Sequence, residues 1–253
     1  MLVESLGQLA TGKRNGEVVI ATKWWPVFRF ASRIQTGIEK RHSFLAPFDI
    51  DLYQIHHPLS FSSTKAEMEA MANLVADGNI RAVGVSNFSS QKLRVAHSVL
   101  AARSIPLASN QVSYSLLDRR VERNGIMDTA KELGITIIAY SPLAQGVLSG
   151  KFHNDPKLIL TRPGPRKWMR AFRKEGLLRS RALIAAIQKI AYSRGATPSQ
   201  VALNWLLHFH GETVVAIPGA TTVGQAEENA GAMTFCLTES EMASLDALSR
   251  QFL

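Results

Sequence analysis

The stretch "IRAVGVSN", residues 80–87, is a short, largely apolar run rich in β-branched residues that closes on two polar ones. A helical pattern, "SSQKLRVAHSVLAARS" (89–104), follows at once. The same rhythm recurs along the chain. Strand-like runs read "EVVIATK" (17–23), "IDLYQIHH" (50–57), "LASNQVSY" (107–114), "ITIIAYS" (135–141) and "TVVAIPG" (213–219). Amphipathic patterns such as "STKAEMEAMANLVADGN" (63–79) and "RRVERNGIMDTAKELG" (119–134) lie between them. Strands alternating with helices predict parallel βα units. Near-continuous apolar runs such as "ITIIAY" suit strands buried on both faces, as a parallel sheet covered by helices requires.

The polar residues sharpen this reading, because they fall where the strands end. Lys23, His56, Ser86 with Asn87, Asn110 with Gln111, and Tyr140 with Ser141 each close a strand at its C-terminal end. In a (β/α)8 barrel that rim carries the reactive and ligand-binding groups. An open doubly wound sheet is the competing α/β architecture, but no G-x-G-x-x-G follows the first strand. The fold expected is therefore an α/β (β/α)8 TIM barrel with parallel strands, six βα units present and two strands missing, forming a single domain over 1–253.

A 253-residue chain with 46% hydrophobic residues can bury a sizeable core. The single Cys236 allows no internal disulfide, no apolar run reaches 18 residues, and the first residues lack a signal-peptide core. A cytoplasmic location with no membrane partner is expected. The net charge of +9 is local: Arg162, Arg166, Lys167, Arg170, Arg173, Lys174, Arg179 and Arg181 fall within twenty residues, against one acid, Glu175. A solvated face or a phosphate-bearing small ligand accounts for them; with no accompanying nucleic-acid motif, no nucleic acid is expected. The Pro-rich segment 152–176 reads as an insertion or lid. Helices then resume over 180–195 and over 197–209, the latter with Thr197 as N-cap and Pro198 at its first position.

Six segments, "VVIATKWWP", "DLYQIHHP", "RAVGVSNFS", "LASNQVSYSLL", "IAYSPLAQGVLSGKF" and "IPGATTVGQAEENAGA", together resemble the aldo-keto reductase family in order over residues 4–250. They are most similar to its bacterial and chloroplast-type members, which are related to potassium-channel β-subunits. The resemblance implies an NADP-dependent oxidoreductase that reduces a small-molecule aldehyde or ketone to an alcohol, with NADP(H) as cofactor and no metal. It implies catalytic roles for Lys23 and His56. Ser86, Asn87 and Gln111 would bind the nicotinamide carboxamide, and Tyr140 would stack on the ring. Ser141, Pro142, Leu143, Gly146 and Lys151 would line the pyrophosphate, and Ile217, Pro218, Gly219, Thr221, Gln225, Glu228 and Asn229 the adenosine end. Trp24, Trp25, Phe28 and Trp168 are candidates for an apolar substrate pocket.

The chain departs from the family at its start. The family's catalytic aspartate and tyrosine precede the helix whose remainder resembles "VESLGQLATG" (3–12), so both are expected to be missing, through a misplaced start or a genuine short form. Tyr53, Tyr114, Tyr140 and Tyr192 offer no replacement on sequence grounds. The alternative function is thus a catalytically impaired cofactor-binding or regulatory protein, and an oligomer or a complementing polypeptide is the further partner class. Adjacent strand residues point to opposite faces, so His56 and His57 are expected to part, with His56 toward the substrate and His57 in packing.

Overall fold

The computed structural model describes residues 16–161 and 164–253. The expected helix remainder at 3–12, and Arg162 and Pro163 of the basic segment, lie outside them. Among the described residues six strands form one parallel sheet in chain order: β1 (Ala21–Trp24), β2 (Leu52–Ile55), β3 (Ala82–Ser86), β4 (Leu107–Ser113), β5 (Thr136–Tyr140) and β6 (Val214–Ile217). Each strand from the sequence reading is present. The first is shorter than expected, because at Ile20 the backbone N–H donates to the Asp51 carboxylate rather than to a strand neighbour. At the end of the order, Val215 and Ile217 of β6 are 44% and 45% exposed, as residues with a neighbour on one side only would be.

The chain divides into two compact units, 1–111 with 128–136, and 112–127 with 137–253. In the first, α1 (Ser32–Thr36), α2 (Ile38–Leu45), α3 (Thr64–Ala76) and α4 (Ser90–Ala101) accompany β1 to β3 and most of β4. Ser63 and Ser89, the first residues of the expected patterns, cap α3 and α4 through their hydroxyls, so each helix begins one residue later. Tyr53, Ile55, Val83 and Val85 are fully buried, as are Met68 and Met71 of α3 and Leu93 of α4.

In the second unit, α8 (Lys174–Arg194) and α9 (Pro198–His208) pack together, burying Leu183, Ile184, Ile187, Val201 and Trp205. Thr197 caps α9 with Pro198 at its first position, as expected, and Gln200 completes a reciprocal cap that the sequence reading did not name. The expected helix over 119–134 is instead two, α5 (Arg120–Arg123) and α6 (Ile126–Leu133). Gly125 takes a left-handed φ of +79° between them, and the Asn124 side chain accepts from the Ile126 N–H. The segment expected to be an insertion contains α7 (Lys151–Asn154) and three short 3₁₀ turns before α8. Helices α10 (Val223–Ala230) and α11 (Glu239–Ser249) complete this unit.

One backbone approach sets the level of the first unit's inner face. Gln54 pairs with Gly84 and Gly84 with Ser109, so the three share a layer across β2, β3 and β4. A Cβ on Gly84 would lie 2.4 Å from Ser109 Oγ and 3.0 Å from Gln54 Cγ. Gly84→Ala is expected to cost about 1–3 kcal/mol in chemical denaturation through overpacking, and a second change, Ser109→Gly, to recover part of it. Full wild-type stability in the single variant would show that the strands can part without cost.

Candidate active site

Above that layer stands the set of residues that close the strands. Lys23 lies level with Gln54, and the His56 N–H continues the ladder by donating to Trp24 O at 3.0 Å. Beyond Ile55 the chain bends. The rings of His56 and His57 therefore do not part as strand alternation predicts; they stack, with centroids 4.6 Å apart and planes 10° from parallel. Trp25 stands edge-on to both, at 5.1 and 5.6 Å. The expectation of a split pair is corrected by this bend, since side-chain alternation holds only while the backbone stays extended. No group of three or more potential metal ligands occurs among the described residues.

The end of β3 is locked to Gln111, which does not close β4 as expected, since that strand runs on to Ser113. Gln111 O accepts from Ser86 Oγ at 2.8 Å and from the Asn87 N–H at 2.9 Å. Asn87 takes a left-handed φ of +60°, which asparagine tolerates better than most residues. Its side-chain amide lies 3.1 Å from Ser86 Oγ and 3.2 Å from His57 Nδ1. So His57, expected only to pack, is tied to an expected cofactor residue thirty positions away. The signal was present, since both close neighbouring strands. Asn110 is fully buried and braces the backbone of Phe88, donating to its carbonyl at 3.1 Å. The Gln111 side-chain amide makes no hydrogen bond among the described residues although only 7% of the residue is exposed, which leaves a sheltered amide with its bonding capacity open.

Electrostatics couple two of these groups. Burial lowers the pKa of Lys23 from its ordinary value. The pKa of His56 is lowered too, first by burial, then by the charges of Lys23 and His57. His56 is therefore neutral near pH 7.

The second unit holds the remaining expected residues. Tyr140 ends β5 half-buried, its pKa raised by burial and by Asp118 against the opposing pull of Arg120. The turn after it is conformationally costly: Ser141, Ala144 and Gln145 have φ of +52°, +47° and +58°, and Gly146 has +98°. Three non-glycine residues in the left-handed region within five positions cost about 1–2 kcal/mol each, and such clusters gather where a backbone must meet a ligand. Gln145 donates to Ser141 Oγ at 3.0 Å, and Lys151 Nζ lies over the Phe152 ring and 3.9 Å from where a Cβ on Gly146 would be. Pro142 and Leu143 lie within the same turn, where Leu143 O accepts from Gly146 N–H at 2.9 Å.

After β6 the chain passes Pro218 and the exposed Gly219 and Thr221 to the start of α10. Gln225 Oε1 accepts from the Thr221 N–H and hydroxyl, and Glu228 accepts from the Thr197 hydroxyl at 2.8 Å. Asn229 is half-buried in the last turn of α10. Residues 217–229 carry Glu227 and Glu228 and no lysine or arginine.

Tyr53, the tyrosine of His56's own unit, does not stand beside it as a hydroxyl donor. Tyr53 is fully buried beneath the Arg41 guanidinium of α2, with its pKa raised by burial. Tyr114 is fully buried and donates to Glu122 at 2.7 Å. Tyr140 belongs to the second unit's strand end, and Tyr192 is 92% exposed on α8.

Comparison with known proteins bears on this arrangement. The model of the Aldo/keto reductase family matches residues 3–250. The chain is 37% identical over 244 residues to an uncharacterized oxidoreductase of Mycobacterium bovis, covering 96% of this chain and 72% of that one. It is 34% identical to the chloroplastic pyridoxal reductase of Arabidopsis thaliana, over 95% of this chain and 64% of the relative. Among solved structures, the glycerol dehydrogenase of Gluconobacter oxydans is similar with a TM-score of 0.85 and 28% identity, over 99% of this chain and 77% of the other. A thermostable aldo-keto reductase in complex with the inhibitor epalrestat gives a TM-score of 0.76 at 30% identity, over 97% and 77%.

The Lys23–His56 coupling is testable without any ligand. In Lys23→Met the His56 ring, followed by NMR, is expected to titrate at higher pH than in the parent. Because its folded pKa is depressed, His56 lowers the protein's stability as pH falls below the ordinary histidine value of about 6.5, and the variant should flatten that loss. An unmoved midpoint would show that the ammonium does not act on His56.

Proposed function

This chain belongs to the aldo-keto reductase family, and from that premise we propose an NADP(H)-linked oxidoreductase acting on a small aldehyde, ketone or alcohol. The observation that carries the proposal is the set, in the first unit, of Lys23, His56 with its lowered pKa and the Ser86–Asn87–Gln111 lock at or near the ends of neighbouring strands. That two of the similar proteins bear the names of a pyridoxal reductase and a glycerol dehydrogenase agrees with a small carbonyl or alcohol substrate.

The residues fit a nicotinamide cofactor. In the first unit the open amide of Gln111 matches a carboxamide; in the second the half-buried Tyr140 ring offers a stacking face, and the left-handed turn over 141–146 is of the strained kind that gathers at ligand sites. Bound there, the cofactor would supply the hydride. Ser86, Asn87 and Gln111 would fix the carboxamide, Ser141, Pro142, Leu143, Gly146 and Lys151 the pyrophosphate, and Ile217, Pro218, Gly219, Thr221, Gln225, Glu228 and Asn229 the adenosine end. His56, being neutral, would orient a carbonyl oxygen by hydrogen bonding without adding charge, and the Lys23 ammonium would favour negative charge developing on that oxygen. Exposed Trp25 and Phe28, in the same unit, supply apolar surface for the rest of a substrate.

Proton delivery is the weak step. A positioned general acid contributes about 10²–10⁴ in rate, and Tyr53, the tyrosine of His56's unit, is buried under Arg41, while Tyr114 is engaged with Glu122. The 253-residue polypeptide is therefore expected to bind cofactor well and to turn over an aldehyde slowly. Fluorescence titration should show saturable NADPH binding, tighter than NADH, and Gln111→Ala should weaken it about tenfold by removing one buried hydrogen-bonding group. Equal affinity for NADH would defeat the choice of NADP(H). Residual turnover should survive Tyr53→Phe and Tyr114→Phe; a collapse in either would mean that a tyrosine on this chain is the donor after all.

A further inference from the structure

The second unit contains a cleft of about 600 Å³ to which nothing above assigns a role. Arg170, Arg173 and Arg179 line it together with Glu175, while Leu117 and Phe252 form an apolar wall. None of the three arginines forms an ion pair among the described residues. Arg173 donates to Trp168 O at 3.2 Å. Arg179 donates to the Gln251 backbone carbonyl and lies 4.7 Å from the centre of the Phe252 ring. The Arg170 guanidinium, on an exposed residue, makes no hydrogen bond among the described residues. With Glu175 counted, the lining keeps a surplus of two positive charges.

The placement of these groups is fixed rather than loose. The 3₁₀ turn Arg170–Phe172 is pressed onto the first turn of α8, where a Cβ on Gly176 would meet Arg170 O at 2.2 Å and Ala171 Cα at 2.9 Å. Only glycine permits that approach, which sets Arg170 and Arg173 beside the start of the helix. On the other side of this turn, buried Phe172 packs edge-on against Phe152, with centroids 5.0 Å apart. Guanidiniums without an ion-pair partner that line one cleft repel one another, and an anion relieves that repulsion. Their planar forks suit oxyanions with two or more acceptors, and the Phe252 and Leu117 wall suits an apolar body.

We propose that this cleft is a binding site for a small organic anion, an oxyanion group joined to an aromatic or aliphatic body, distinct from the residues assigned above to the nicotinamide cofactor. The shared chemistry is the oxyanion; phosphate and carboxylate are its two sources. The proposal does not depend on the reductase reading, since no residue of the cleft enters it.

The test is calorimetric titration of the full chain with phenyl phosphate, benzoate and benzyl alcohol, each in the absence and presence of saturating NADPH. Saturable binding of phenyl phosphate or benzoate, weakening with salt and unaffected by NADPH, is expected, with benzyl alcohol giving none. The tighter of the two anions identifies the oxyanion. Arg170→Gln should weaken binding about tenfold, with the far-ultraviolet circular dichroism unchanged. Arg173→Gln serves as a second variant at the same wall, expected to behave alike, while its NADPH affinity stays at the parent value. The proposal is overturned by absence of saturation up to about 10 mM. Affinity unchanged in both variants, or complete competition by NADPH, which would place the anion in the cofactor's residues, overturns it equally.

Discussion

The carbonyl oxygen of Gln111 is the point on which the first unit's strand ends depend. It accepts two hydrogen bonds at once, from the Ser86 hydroxyl and the Asn87 N–H. The first closes the β3–β4 ladder at its last rung, and the second turns Asn87 into a left-handed conformation whose amide then reaches His57. One acceptor thus joins three strands, because His57, just past β2, is held by the same asparagine and its ring stacks on His56 against Trp25. The lock occupies Gln111's backbone carbonyl and leaves its side-chain amide without a hydrogen bond among the described residues.

Below the lock, the inner face changes character in a single step. The layer of Gln54, Gly84 and Ser109 is small and polar, with Gln54 donating weakly to Val85 O and Ser109 Oγ at 3.4 Å. Lys23 belongs to that layer by register. Its ammonium is thereby half-withdrawn from water, and the withdrawal lowers its own pKa and helps lower that of His56 above it. Had Lys23 stood one residue along the strand, period-two alternation would have turned it to the helix side, and the coupling would vanish.

Much of this was legible in the sequence, and for a definite reason. Buried parallel strands announce themselves as apolar runs, and a polar residue at the end of such a run must face either the rim or a helix cap. That logic put Ser86 and Tyr140 at the ends of β3 and β5 and His56 just past β2, where the structure has them, while Lys23 falls one residue and Gln111 two residues before the ends of β1 and β4. It failed where the backbone ceases to be regular. The His56–His57 stack needs a bend that begins at the last strand residue, and the break between α5 and α6 needs Gly125 to take a positive φ, which "RNGI" permits but does not compel. The strained turn over 141–146 was beyond reach for the same reason: Ala144 and Gln145 carry no mark of a left-handed conformation in their chemistry, and only surrounding structure holds them there.

The distribution of charge completes the argument. A solvated face or a phosphate-bearing small ligand suits the basic residues of 166–181, and three of them line a cleft with Phe252 and Leu117. Residues 217–229, where the adenosine end is expected, carry two glutamates and no cation. One of those, Glu228, accepts from the Thr197 hydroxyl that caps α9, so its carboxylate is engaged in tying α10 to α9. A terminal phosphate near α10 would have to rely on backbone N–H groups and the hydroxyl of Thr221, itself donating to Gln225. Such neutral donors bind an anion more weakly than arginine does. The positive charge of this chain is thus concentrated away from the segment that family resemblance assigns to the nucleotide's phosphate, which is the physical reason to ask what other anion the cleft receives.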